Sequence, residues 1–218
     1  DQIALVAQLS ASLGVAAGSA AGVYEAFLVM GDGSAETAQN LTLATTALAT
    51  AAGVPLGAVM DDIANASDSV YAFSRGTGEE LAIAAVEARR LGTNIESVTG
   101  SMEKALDFET SIQGEMRMAT MLGKHISMDA MRRASFEGDQ VKFMQEQRKV
   151  MQQVGDLSQM NMYQRQAVAE AMGMEVGELM KMQQKEKGLQ ALASGTAEQR
   201  KLLAEYEQMQ ADIQGGRV

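Results

Sequence analysis

From Ile95 onward, apolar residues return at alternating three- and four-residue steps: Ile95, Val98, Met102, Ala105, Ile112, Met116 and Ala119. That spacing places them along one side of an α-helix, the seam of a helix that packs against others. Glu109 fills one place in the series. An unbroken helix from Ile95 to Leu122 would be a rod of about 42 Å at 1.5 Å per residue. Its seam reads as a contact surface for other helices, in this chain or in other copies of it. Glu109 has two readings. Either it is exposed because the helix bends or the seam drifts, or it meets a cation or water on a symmetry axis and helps fix register.

Comparable patterns cover the rest of the chain. Residues 3–30 are apolar and small, with Glu25 the one charge between Ile3 and Met30. Gly14, Gly18 and Gly22 sit four apart and would let a second backbone approach one helical face. The stretch reads as a tightly packed Ala/Gly helix or as a segment able to enter a bilayer. Gly31 to Ser34 is a turn with Ser34 or Asp32 as N-cap. Helices are then predicted over 35–52, 56–66 behind Pro55, and from the Thr77/Glu80 capping-box spacing to Leu91. After the rod, Gly123 to Ile126 is a break and Ser127 caps a helix to Phe136. Asp139 opens a helix to Val154, Asn161 one to Ala171, and Glu175 one to Lys187. Thr196 and Gln199 form a capping box for the last helix, whose stripe is Leu202, Tyr206, Met209 and Ile213; the tail from Gly215 frays. Gly53, Gly92 and Gly173 each precede apolar residues three and six places on, and Gly123 begins the same way. Glycine is favoured just past a helix end, so the recurrence reads as a common joint.

Composition agrees with an all-α fold. Aromatics make up 4% of the chain, Pro occurs once, and Trp and Cys are absent, whereas a sheet protein draws on aromatic and β-branched residues. The expected architecture is an extended multi-helix array or bundle, its long helices joined by Gly-containing breaks and assembled with other copies. Four segments are expected: an apolar Ala/Gly-rich helical segment over 1–33, a short-helix acidic region over 34–92, a long-helix Met-rich region over 93–187, and a C-terminal amphipathic helix with a frayed tail over 188–218. The start at Asp1 leads us to expect a piece of something longer or a processed product, without a secretory signal.

Charge and residue types narrow the chemistry. The net charge of −10 is carried mostly by the first hundred residues, so binding nucleic acid through a basic face is not expected. Without Cys there is no thiol catalysis, disulfide or thiolate metal site. His125 stands alone, which rules out a zinc cluster built on histidines and leaves it a structural or solvated role. The doublets Asp61-Asp62 and Glu79-Glu80 diverge by about 100° on a helix, making them poor acid/base dyads. We therefore expect no enzymatic activity, no catalytic residues, no cofactor and no metal. Methionine is abundant: 14 of the 17 lie between Met102 and Met182. Thioethers bind Cu(I), but partners two apart on a helix diverge by about 200°. Adaptable packing is the better reading, since Met fills irregular gaps and suits surfaces that meet several partners.

Several phrases in combination resemble a phage tail tape measure protein of the contractile-tailed type. They are Ala85-Val86-Glu87-Ala88-Arg89-Arg90-Leu91-Gly92, Asp107-Phe108-Glu109 with Ile112 and Glu115, Leu122-Gly123, Ala134 with Gly138-Asp139, Asn161 with Gln164-Arg165-Gln166-Ala167, and Ala171-Met172-Gly173. The resemblance is strongest over roughly 51–187 and carries no active-site residues. It implies extended helices in the tail lumen, a role in setting tail length, contact with tail tube and baseplate hub or tip proteins, and release ahead of the DNA at infection. Localisation would be the virion, with host cytoplasm during assembly. Copies of the chain itself, three favoured, are the expected partners, and a host membrane could be met through 1–30. The oligomer contacts would be Gly14, Gly18, Gly22, Ile95, Val98, Met102, Glu109, Ile112, Met116, Leu202, Tyr206, Met209 and Ile213. A helical adaptor or chaperone bundle and a membrane-active pore former are the competing readings.

Overall fold

The stretch Leu81-Ala82-Ile83-Ala84-Ala85-Val86 is apolar on every side of a helix, so it folds stably only if covered on every side. The computed structural model, which describes residues 7, 10–11, 14–30, 33–74 and 76–216, places it at the centre. Twelve α-helices are present among the described residues: α1 (Ala17–Met30), α2 (Ala35–Ala52), α3 (Leu56–Ala64), α4 (Asp68–Phe73), α5 (Gly78–Arg90), α6 (Ile95–Leu106), α7 (Phe108–Leu122), α8 (Asp129–Phe136), α9 (Gln140–Val154), α10 (Met162–Ala171), α11 (Val176–Ala193) and α12 (Ala197–Gln214). A short 3-10 turn spans Leu157–Gln159. Helix α5 packs against α1, α2, α3, α6, α9 and α12, and every residue from Leu81 to Val86 has no exposed surface.

The chain is all-α, and its buried apolar residues form one cluster running from Val15 to Ile213. Its accessible surface is 10686 Å², close to the roughly 9,700 Å² that a compact monomer of this mass should expose. The helices form a compact globular array.

Local signals set the element ends. Ser34 accepts a hydrogen bond from the Thr37 N–H and starts α2, while Gly53, at φ 66°, ends it. Asn161 with Gln164, and Thr196 with Gln199, form reciprocal capping boxes. Gly53, Gly92, Gly123 and Gly173 all adopt the left-handed conformation, which identifies the recurring Gly phrase as a helix-ending joint.

The predicted rod is not continuous. Asp107 has φ −75° and ψ 85°; it closes α6 and, through its side chain, caps α7 by accepting from the Thr110 N–H at 3.2 Å and the Thr110 hydroxyl at 2.7 Å. A short acidic side chain that bonds its own backbone favours a helix start over a helix interior. The break turns α7 about its axis. Ile95, Val98, Met102 and Ala105 remain buried, but α7 buries Ser111, Glu115 and Met118 instead. Ile112 and Met116 are exposed, as is Glu109, whose carboxylate accepts a long bond from Gln113 at 3.4 Å.

The first segment also departs from a single helix over 3–30. Gly14 is left-handed at φ 64° and lies before α1. Of the three spaced glycines, only Gly22 makes a close approach among the described residues: a Cβ there would lie 2.7 Å from the Ala64 Cβ of α3, whereas one at Gly14 or Gly18 would meet no described atom within 4 Å. Gly22→Leu should therefore cost about 1–3 kcal/mol by forcing α1 and α3 apart, while Gly18→Leu should stay within about 0.5 kcal/mol. Urea unfolding of the two variants checks this, and equal midpoints would remove the close-packing role of Gly22. No helix among the described residues is long and apolar enough to cross a membrane. The predicted Gly31-Asp32 turn, the start of the apolar segment at 1–6, and the tail residues 217–218 lie outside the described residues.

Candidate functional site

Three features of the fold are candidates for function. The first is a polar group under α7, buried at Ser111, Glu115 and Arg132 and open to solvent at Asp129 and His125. Ser111 and Glu115 lie one helical turn apart on its buried face. Arg132 of α8 donates to the Ser111 hydroxyl at 3.1 Å, to Glu115 Oε2 at 2.6 Å and to Asp129 Oδ1 at 2.7 Å. His125, largely exposed, places its Nε2 2.9 Å from Glu115 Oε1. Burial pulls the Arg132 pKa down, but its bonds to Asp129 and Glu115 outweigh this and leave it raised. The lone histidine thus partners a carboxylate already held by an arginine. Among the described residues no group of three or more His, Cys, Asp or Glu is arranged to hold a metal ion.

The second feature joins four helices around the C-terminal helix. Tyr206 of α12, almost fully buried, donates its hydroxyl to Glu87 of α5. Arg90 binds the same carboxylate at 3.1 Å and lies 4.2 Å from the centroid of the Tyr206 ring. Burial, then the Glu87 charge, push the Tyr206 phenol well above its ordinary range. Beside it Arg148 of α9 grips Glu186 of α11 through two bonds of 2.7 and 3.2 Å. Burial opposes the Glu186 charge, but Arg148 more than compensates, and the carboxyl is lowered. A cleft of about 530 Å³ opens over this group, lined by Arg90, Arg148, Lys149 and Gln152 among others. Arg90 and Tyr206 hold Glu87 and Arg148 holds Glu186, so the group works as an interhelical clamp.

The third feature is the α7 surface itself. Phe108, Ile112 and Met116, four apart, form an exposed apolar stripe. On the opposite side α7 and α10 pack closely, because a Cβ at Gly114 would sit 3.2 Å from the Ala171 Cα. A cleft of about 650 Å³ beside this contact includes Lys104, Arg117, Met162, Glu170 and Met174. The exposed Met121, Met162 and Tyr163 edge the same helix pair. The Met-x-Met pairs split as helix geometry requires: Met118 is buried and Met116 exposed, Met182 is buried and Met180 only partly so.

The sequence-predicted contact residues are thereby divided. Ile95, Val98, Met102, Tyr206 and Ile213 are inside the chain's own core, and Met209 packs against it in part. Leu202, Ile112, Met116 and Glu109 are on the surface. Sequence reasoning missed Arg132, Arg148 and Glu186. A charged residue standing in an apolar stripe, as Arg132 does among Met128, Met131 and Ala134, was the available signal.

Four lowered carboxyls set a pH dependence: Asp107, held by the Thr110 hydroxyl and N–H, Asp129, held by Arg132 and Ser127, Asp156 and Glu186. Asp156 is lowered to about 2, first by Lys187 and then by the Ser158 N–H and hydroxyl, and Glu186 is lowered from 4.5. A group whose folded-state pKa is depressed stabilises the fold above its unfolded value, and that stability is lost as pH falls through the folded value. Asp62, raised by burial despite its bond to Arg89, acts in the opposite sense. Melting temperature should thus fall as pH drops from about 4.5 towards 2. Asp156→Asn should remove part of that fall, and identical profiles for the two proteins would show that the Asp156 shift does not contribute.

The chain matches no protein-family model, no curated protein and no solved structure.

Proposed function

We propose that this chain is a non-enzymatic structural segment of a phage tail tape measure protein, placed near the tail tip and hub, that takes part in setting tail length and leaves at infection. The observation that carries the proposal is where the family-like phrases fall. Glu87 and Arg90 form the clamp on α12, Glu115 holds the buried group under α7, Asp107 joins two helices, and Gly92, Gly123, Gly138 and Gly173 end helices. The resembling residues thus serve helix joints and interhelical contacts, the work a structural phrase is expected to do. The exposed Phe108–Ile112–Met116 stripe and the Met-edged α7–α10 surface supply contact area for neighbouring copies, three favoured, and for tube or hub proteins. Extension into longer helical rods would take place in the assembled tail. The acidic charge suits a lumen component that does not grip DNA.

Purified virions test the proposal. Mass spectrometry should find the chain in tails, and an in-frame deletion of residues 93–187 should shorten them or stop assembly. Tails of unchanged length from a virion that lacks the chain would overturn the reading. One observation favours a helical adaptor instead: the apolar core is continuous within a single chain. An adaptor would be found in infected cells bound to assembling tails yet missing from finished particles.

A further inference from the structure

Helix α12 is anchored to the body through few buried side chains. Of its 18 residues only Tyr206 and Ile213 are buried, and both lie in its second half. Its seat is formed by α2, α5 and α11. The end of α11 from Lys187 and the start of α12 to Leu202 are almost wholly exposed, so the connection between the two helices stands clear of the core.

That connection is three residues long. Ser194 has φ −92° and ψ 1°, near helical values, and Thr196 has φ −64° with ψ 164°. The Thr196 φ already suits a helix; its ψ does not. Rotation concentrated at this joint would merge α11 and α12 into one helix from Val176 to Gln214, about 58 Å long. Two local devices oppose the merger. The Thr196–Gln199 capping box closes the turn with bonds of 2.8 and 3.3 Å. Gly195 makes room for it, since a Cβ there would lie 2.0 Å from Gln199 Oε1.

We infer that α12 is an exchangeable element whose seat accepts the α12 of a second copy of this chain, giving a two-fold symmetric swapped dimer. The seat meets the same Tyr206 and Ile213 whichever copy supplies them, so the contacts of the closed and exchanged forms are equivalent. The balance then rests on the hinge and on concentration. The α11–α12 junction buries no side chain from Lys187 to Leu202, so little packing is lost when it straightens. This inference is independent of the tail assignment, and it stands or falls in solution with the isolated full chain.

Light-scattering masses across a concentration series test it, with circular dichroism as the check on folding. The hinge variant Gly195→Ala/Thr196→Ala removes a cap and a helix breaker in both chains of a dimer. It should strengthen dimerisation by roughly a hundred- to a thousandfold. Thr196→Ala alone should give about thirtyfold, and it serves if the double variant misfolds. Insertion of Gly-Ser-Gly between Gly195 and Thr196 should weaken dimerisation, since a longer hinge favours the closed form. A folded Thr196→Ala protein with unchanged self-association would overturn the proposal. So would an insertion variant that dimerises as strongly as the natural chain, because a dimer formed face to face does not sense the hinge.

Discussion

Arg132→Met should destabilise the fold by about 3–5 kcal/mol, because it leaves the buried Glu115 carboxylate without its arginine. Both side chains are more than nine-tenths buried, so the loss is not softened by solvent as it would be at a surface pair. His125 remains as a neighbour at 2.9 Å, yet its side chain is largely exposed. The double variant Arg132→Met/Glu115→Leu removes the stranded charge and should recover most of the stability, since a buried pair exchanged for apolar residues is often neutral. Urea unfolding of the two variants measures the contrast. A single variant within about 1 kcal/mol of the natural chain would mean that Glu115 finds water or another cation. A domain with stability of about 5–15 kcal/mol has little room for such a loss.

Tyr206→Ala should cost about 3–5 kcal/mol locally, by opening a cavity under α12 and by removing the hydroxyl that Glu87 binds. Tyr206→Phe keeps the ring and loses only the bond to a buried carboxylate, about 1–3 kcal/mol. Hydrogen exchange locates the effect. In the Ala variant the amides of 197–214 should lose protection while those of α5 keep most of theirs, because α12 has only Ile213 left as a buried anchor. Equal protection patterns in the Ala and Phe variants would show that the ring does not hold the helix.

Much of the architecture was legible because it is encoded locally. Helix α2 runs over Ala35–Ala52 as read, with Ser34 and Gly53 marking its ends. The starts at Thr77, Asp139, Asn161 and Thr196 follow from side chains that accept from the backbone N–H three residues on. The rod failed where two local signals competed. The apolar period ran on through Glu109, but Asp107 followed by Thr110 is a helix start, and the cap prevailed. In helix α5, Leu81, Ala84, Ala85 and Ala88 alone would suggest a one-sided helix, but Ala82, Ile83 and Val86 fill its other sides. The ion groups were not legible. Glu87 meets Tyr206 across 119 residues and Arg148 meets Glu186 across 38, and no short-range pattern specifies such a pairing.

The encirclement of α5 has a consequence during synthesis. Its cover includes α12, so Leu81 to Val86 cannot be fully sealed until the chain has been made to Gln214. At ribosomal rates of about 5–20 residues per second, that delay is on the order of ten seconds. For that interval the nascent chain carries an uncovered apolar helix, and any early encounter with another copy or with a chaperone would begin there.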